Sequence, residues 1–323
     1  MPLVVMGLVI GAAFIGIYVG LQRAPAPHGL PLAAVGGELA ATTKSALGGG
    51  ADVTQVATYQ EGEDRVRDGE AIAVLAARED GIQLGYSGAS GMSESGAARR
   101  MVAGIAQRSQ QSVTETDLVP LAPYDSAGLS VFYVVFGVTL SSFVVAQGLT
   151  LSAGAVRLRH RLWATGGFAL VIGPLAATLA GPVYGALSPP FVAMAATLVL
   201  LSAACALLTK SLGSWLGPPG IGLAVLLLTI LGNATSGATI GYDLLPGWAR
   251  VVSAHLPPGA AFRAIKGFGY YGGNGTVVPL VTLALWATGG LGLLLLHHRS
   301  GTRHQQVDGG STPAHRLEAV AAS

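Results

Sequence analysis

Charge is scarce in this chain. Of 323 residues only 11% are Asp, Glu, Lys or Arg, against 51% hydrophobic. Soluble domains carry about 25% charged residues. Acids are scarcer still along most of the length. Thirteen of the sixteen fall between Glu38 and Asp125, and none occurs between Asp125 and Asp243. One cysteine, Cys205, lies inside an apolar run, so a disulfide framework and a Cys-based zinc site are excluded. Cys205 reads as a small buried hydrophobe. The formal net charge of +2 is too small to point to nucleic acid. No Gly-Lys-Ser/Thr follows the triple glycine Gly48–Gly50, so a phosphate-cradling P-loop is absent and the chain carries no ATPase motif of its own. No metal-ligand cluster and no nucleophile–base pair stands out, so neither a cofactor nor an enzymatic activity is expected.

What the chain has is long apolar runs. Residues 3–21, 130–153, 164–186, 190–209, 220–240 and 277–296 contain no Asp, Glu, Lys or Arg. About 20 apolar residues cross a bilayer as a helix. The first run has no preceding Lys or Arg and is long for a signal-peptide core, so it reads as an uncleaved signal-anchor, residues 1–22. The second half of the fifth run, NATSGATIG, is small and polar, and this run is the one expected to stop short or unwind. Pro174 and Pro182 are expected to kink the third.

Residues 23–128 hold most of the charge and read as a small α/β domain. Residues 36–47 suggest a helix, Val53–Tyr59 a strand and Glu61–Asp68 a short charged helix. Ala71–Ala77 and Ile82–Tyr86 suggest two strands about an Asp80-Gly81 hairpin turn. Ser93 is expected to cap a helix reaching Gln110.

Orientation follows from Lys and Arg in short connections. Arg157, Arg159 and Arg161 lie between the second and third runs with no acid, Lys210 follows the fourth, and Arg299 and Arg303 follow the sixth. These connections are expected in the cytoplasm, with both termini, and the 23–128 domain outside. Residues 129–297 would form a five-span domain and 298–323 a disordered cytoplasmic tail. Residues 241–275, with Arg250, Arg263 and Lys266, are long and amphipathic and are expected at the outer interface.

Two stretches carry a resemblance. One is TDLVPLAPYDSAGLSVFYVVFGVTL, residues 116–140, with Asp117, Pro120, Pro123, Asp125 and Gly128. The other is NATSGATIGYDLLPGWARVVSAHLPPGAAFRAIKGFGYYGG, residues 233–273. In their order relative to the apolar runs they resemble the ABC-2-type permeases and YhgE/Pip-like membrane proteins of actinobacteria. The resemblance implies an all-α six-helix membrane bundle with a small α/β extracytoplasmic domain between spans one and two, in a bacterial cytoplasmic membrane. It implies an exporter permease subunit moving a hydrophobic or amphipathic substrate. Its partners would be a separate nucleotide-binding ATPase, a second permease chain in a homo- or heterodimer, and the lipid bilayer. It also implies a coupling segment over Val156–Trp163, with Arg157, Arg159, Arg161 and Trp163 against the ATPase. A re-entrant hairpin is implied with arms Leu245–His255 and Pro258–Tyr270, marked by Pro246 and bent at Pro257, Pro258 and Gly259. Beside the resemblance, Thr139, Ser142, Gln147 and Thr150 make span two the most polar and offer either a wall of a translocation path or helix–helix hydrogen bonds. The second reading of the whole is a non-transporting scaffold or receptor component whose outer domain binds protein partners.

Overall fold

The computed structural model describes residues 2–151 and 156–309, with side chains over 4–151 and 156–300. It begins with α1 (Pro2–Gln22), the first membrane-length helix. A five-stranded sheet domain follows, built from β1 (Leu30–Val35), α2 (Gly37–Leu47), β2 (Ala51–Val56), α3 (Tyr59–Arg67), β3 (Ala73–Arg78), β4 (Gly81–Tyr86), α4 (Met92–Arg108) and β5 (Ser112–Asp117). The strand order is β2-β1-β3-β4-β5, parallel except for the antiparallel β3–β4 pair. The one antiparallel pair is the Glu79-Asp80 hairpin, in which Arg78 faces Gly81.

Both faces of the sheet are covered, as parallel strands require. Alternation along the strands sends Leu30, Leu32, Ala73, Leu75, Ile82 and Leu84 to one face, beneath α4. Ala33, Val56 and Val74 go to the other, beneath α3. Helix α3 starts at a Thr-x-x-Glu box. Thr58 Oγ1 accepts from Glu61 N–H at 3.1 Å, while the Glu61 carboxylate accepts from Ala57 N–H at 2.8 Å. Helix α4 departs from expectation at its start. Gly91, at φ 100°, is its N-cap, and the Ser93 hydroxyl donates to the Thr239 carbonyl instead.

Among the described residues five helices are long and apolar enough to cross a membrane, which marks the chain as a membrane protein: α1, α5 (Ser130–Leu151), α6 (Leu158–Thr178, continued by a π-helical turn Leu179–Val183), α7 (Phe191–Leu216) and, at the end, α11 (Val277–Gly309). Between α7 and α11 come α8 (Pro218–Ala234), whose middle Val225–Leu231 is wound as a π-helix, then α9 (Gly247–His255) and α10 (Pro257–Tyr270). A sixth membrane-length helix, expected over 220–240, is not formed. Helix α8 stops at Ala234 because the small polar residues beyond it bond back on the chain. Thr235 Oγ1 donates to the Leu231 carbonyl, Ser236 Oγ to the Asn233 carbonyl, and Gly237 takes φ 85°. The expectation that the apolar runs bound the spans also needs correction. Helix α6 begins at Leu158 and α7 continues to Leu216, so Arg159, Arg161 and Lys210 lie inside membrane-length helices.

Helix α7 is the hub of the bundle, with Leu198, Leu201, Cys205 and Leu208 buried. The turn from α6 to α7 meets the domain side: a Cβ on Gly185 would lie 3.0 Å from Tyr124. Alternation of direction then puts Leu151, Arg157, Lys210 and the close of α11 at the far end.

Substitution Gly62→Ala tests the sheet packing. A Cβ at Gly62 would sit 2.2 Å from Val74 Cγ2, so α3 must lift from β3. The expected loss is about 1–3 kcal/mol, read as a lower thermal midpoint of the detergent-solubilised protein. Gly104→Ala, which meets nothing within 4 Å, should show no loss.

Candidate functional site

Three groups of side chains carry chemistry, one at each end of the bundle and one in its middle. At the far end the three arginines do not act as one patch. Arg157 is the N-cap of α6, and the helical turn that follows sorts its successors by face. Arg159, Leu162, Trp163 and Gly166 follow i, i+3, i+4, i+7 and border one groove. Arg161 and Thr165, also four apart, turn inward and are buried. Arg157 and His160 are exposed.

The inward face meets Lys210, which was expected in a loop and is instead one of the most buried side chains. Its ammonium donates to Thr165 Oγ1 at 2.8 Å and to the Arg161 carbonyl at 3.0 Å. Arg161 Nη1 reaches the Leu149 carbonyl at 3.4 Å. Two buried cations thus sit side by side, bonded to neutral oxygens. Burying charge is costly without such partners, and helix α6 supplies both of Lys210's acceptors. The only sequence signal for this burial is that Lys210 directly abuts an apolar run with Thr209 and Ser211 beside it.

In the middle, the polar residues of α5 are closed into helix packing. Thr139 is fully buried and donates to the Val135 carbonyl at 2.7 Å. Ser142 donates to the Val138 carbonyl and to Ser202 Oγ on α7 at 2.8 Å. Thr150 donates to the Ala146 carbonyl, and Gln147 is half-buried. Of these contacts the Ser142–Ser202 bond joins α5 to α7, and the others lie within α5. An apolar groove of about 530 Å³ does run along α5, but on the side facing α6, bordered by Tyr133, Gly137, Ser141 and Ile172.

At the domain end the sheet domain is tied to the segment between α8 and α11. Glu94, in the first turn of α4, is buried and accepts from Asp243 N–H at 2.9 Å. Gly241 is required there, since a Cβ would fall 2.4 Å from Glu94 Cγ. Lys266 of α10 donates to the Ser90 carbonyl at 2.9 Å, and the Tyr271 hydroxyl lies 3.2 Å from Ser87 Oγ and 3.3 Å from Ser90 Oγ. Arg250 donates to the His28 carbonyl at 3.0 Å, and His28 N–H to the Asp243 carbonyl at 2.9 Å. Asn274 Nδ2 donates to Asp68. The paired short helices hold these groups in place. Pro246 is the N-cap of α9, and Leu256 in extended conformation makes the corner. The corner is therefore one residue earlier than Pro257-Pro258-Gly259, which form the first turn of α10. Proline lacks the N–H that a first turn leaves unpaired. Gly259 lets α10 close on α9, because a Cβ there would lie 2.4 Å from the Ser253 carbonyl. Arg263 locks the corner by donating to Ser253 and Ala254. Lys266 was marked only as part of an amphipathic segment, and its contact with the sheet domain and that of Glu94 with Asp243 had no signal in the sequence, the partners being far apart along the chain. Comparison with family models, curated proteins and solved structures found no match.

Burial pushes the Glu94 carboxyl up to about 7, with Asp243 adding to the rise while Lys266 and two backbone N–H groups oppose it. The proton-bound form is thus favoured in the docked state. Docking is strongest below the ordinary value of 4.5, weakens as pH rises through the interval, and levels off above about 7. The span corresponds to roughly 3 kcal/mol. Hydrogen exchange over 241–245, corrected for intrinsic rates, should therefore quicken from acid to neutral pH. Glu94→Gln should flatten the dependence; an equal slope in that variant would show that another group carries it.

Proposed function

We propose that the chain is the permease subunit of an exporter of the ABC-2 type, energised by a separate ATPase and working beside a second permease chain. The observation that carries the reading is the distribution of fixed elements along one axis. A sheet domain sits at one end, locked to a bent helix pair. The other end offers a short connection and an α6 first turn that presents cations. Arg157 and His160 are exposed there, where an ATPase would meet the connection. The positive end would face the cytoplasm, and both termini with it. A membrane domain without its own ATPase motif must take energy from another subunit.

The bundle also supports pairing. Only 6% of the apolar window of α1 and 22% of that of α11 are buried within the chain. The substrate would be apolar or amphipathic, because the groove along α5 and α6 is apolar and opens sideways. The polar residues Thr139 and Ser142 are packed shut in this conformation, so a path along them requires α5 and α7 to part.

The scaffold reading is favoured by a different observation. The sheet domain is docked through many hydrogen bonds, as a rigid presenting platform would be.

Co-purification with a candidate ATPase discriminates the two. Arg157→Glu with His160→Glu should abolish association and stimulated hydrolysis while leaving the thermal midpoint unchanged, since both side chains are exposed. Association that survives the double reversal overturns the coupling surface and favours the scaffold.

A further inference from the structure

The groove bordered by Arg159 and Trp163 is built differently from the one along α5. It has a volume of about 420 Å³ and lies over α7, with α6 on one side and α11 on the other. Its floor is Ala203 and Leu207, and Leu291 closes the α11 side. All three are half-buried and apolar. From Arg159 to Gly166 the α6 wall rises about 10 Å along the helix. The groove is thus an apolar slot with a charged mouth, long enough for the headgroup-proximal part of an acyl chain.

The mouth is positive throughout. Arg159 stands at the rim in the first turn of α6, and that turn has no side-chain cap and no acid. Unpaired N–H groups of a first turn favour an anion beside them. Thr165, part of the groove wall, is the same residue that accepts from Lys210. Lys210 therefore places a second positive charge directly behind the wall. No acid occurs in the sequence from residue 126 to 242, and none borders the groove. Trp163 is 79% exposed at the rim, an indole with an apolar body and a polar N–H of the kind that sits at lipid headgroup level.

We propose that this groove is a binding site for one diacyl lipid with an anionic phosphodiester headgroup. The phosphate sits on Arg159 and the α6 first turn, Trp163 flanks the headgroup, and an acyl chain lies on Ala203 and Leu207 against Leu291. An uncharged or zwitterionic lipid fits the slot but gains less at the mouth. The proposal holds for a transporter and for a scaffold alike.

The test uses the full-length chain reconstituted in phosphatidylcholine vesicles doped with brominated phosphatidylglycerol or with brominated phosphatidylcholine. Bromine quenches tryptophan on contact, and the Trp163→Phe variant isolates the Trp163 signal. Phosphatidylglycerol should quench Trp163 at a lower mole fraction than phosphatidylcholine. Arg159→Gln should reduce that preference about fivefold, the value of one juxtamembrane cation. Ala203→Leu, which fills the slot, should remove the preference while Arg159 remains. Arg157→Gln, on another face, should leave it intact, and soluble glycerophosphate should not displace the lipid. Equal loss in Arg157→Gln would reduce the effect to diffuse surface charge and overturn the site. Displacement by glycerophosphate would make it a small-anion site and overturn the lipid. Equal quenching by both lipids in the unaltered protein would overturn it outright.

Discussion

Helices α6 and α11 approach α7 at backbone distance, and the bundle depends on that approach. A Cβ on Gly173 would lie 2.8 Å from Val199 N, and one on Gly290 would lie 3.0 Å from the Leu207 carbonyl carbon. In lipid no water drives helices together, so association comes from close packing and interhelical hydrogen bonds. The glycines allow the first. Ser142 to Ser202, Ser211 to the Gly290 carbonyl and Lys210 to Thr165 supply the second. Each of these three bonds has α7 as one partner. With α7 held from three sides, α10 can seat Ala260, Ala261 and Ile265 in the same core.

The same hub links the two ends. Helix α10 carries Lys266, which bonds the sheet domain, on the helix whose apolar face packs against α7. Helix α7 also carries Lys210 near its far end. A tilt of α7 relative to its neighbours would be felt at both places. Between them, the hydroxyls of α5 bond carbonyls of their own helix, and the Ser142–Ser202 bond is what opening the seam between α5 and α7 would break.

Much of the fold was legible wherever the signal was local. The charged run Glu61–Asp68 placed α3 to within two residues, the Asp80-Gly81 pair placed the hairpin, and the small polar NATSG stretch marked where α8 ends. Strand β1 was missed because both its faces are covered, so LPLAAV shows no alternation, and Pro31 argues against a central strand. Strand β5 was missed for the opposite reason: SVTETD lies at a sheet edge and is mostly exposed. The three arginines read as one patch because spacing in sequence was used without helical phase. Phase alone separates Arg159 with Trp163 from Arg161 with Thr165. The Glu94–Asp243 contact lay beyond any local pattern, since its partners are 149 positions apart.

The sheet domain is encoded early but is not closed by its own residues. Its larger core includes Ala234, the last residue of α8, and Ile240, Leu244, Leu245 and Ala249 from beyond it. During synthesis, β5 leaves the ribosome long before these residues exist. Three membrane-length helices and α8 must be made and inserted in the meantime. Until then one face of the new sheet stays partly bare to water, and Glu94 has no amide to receive. Completion of the domain therefore reports completion of the bundle. A chain truncated or mis-inserted before α9 would leave that apolar face open to quality-control proteases on the domain's side of the membrane.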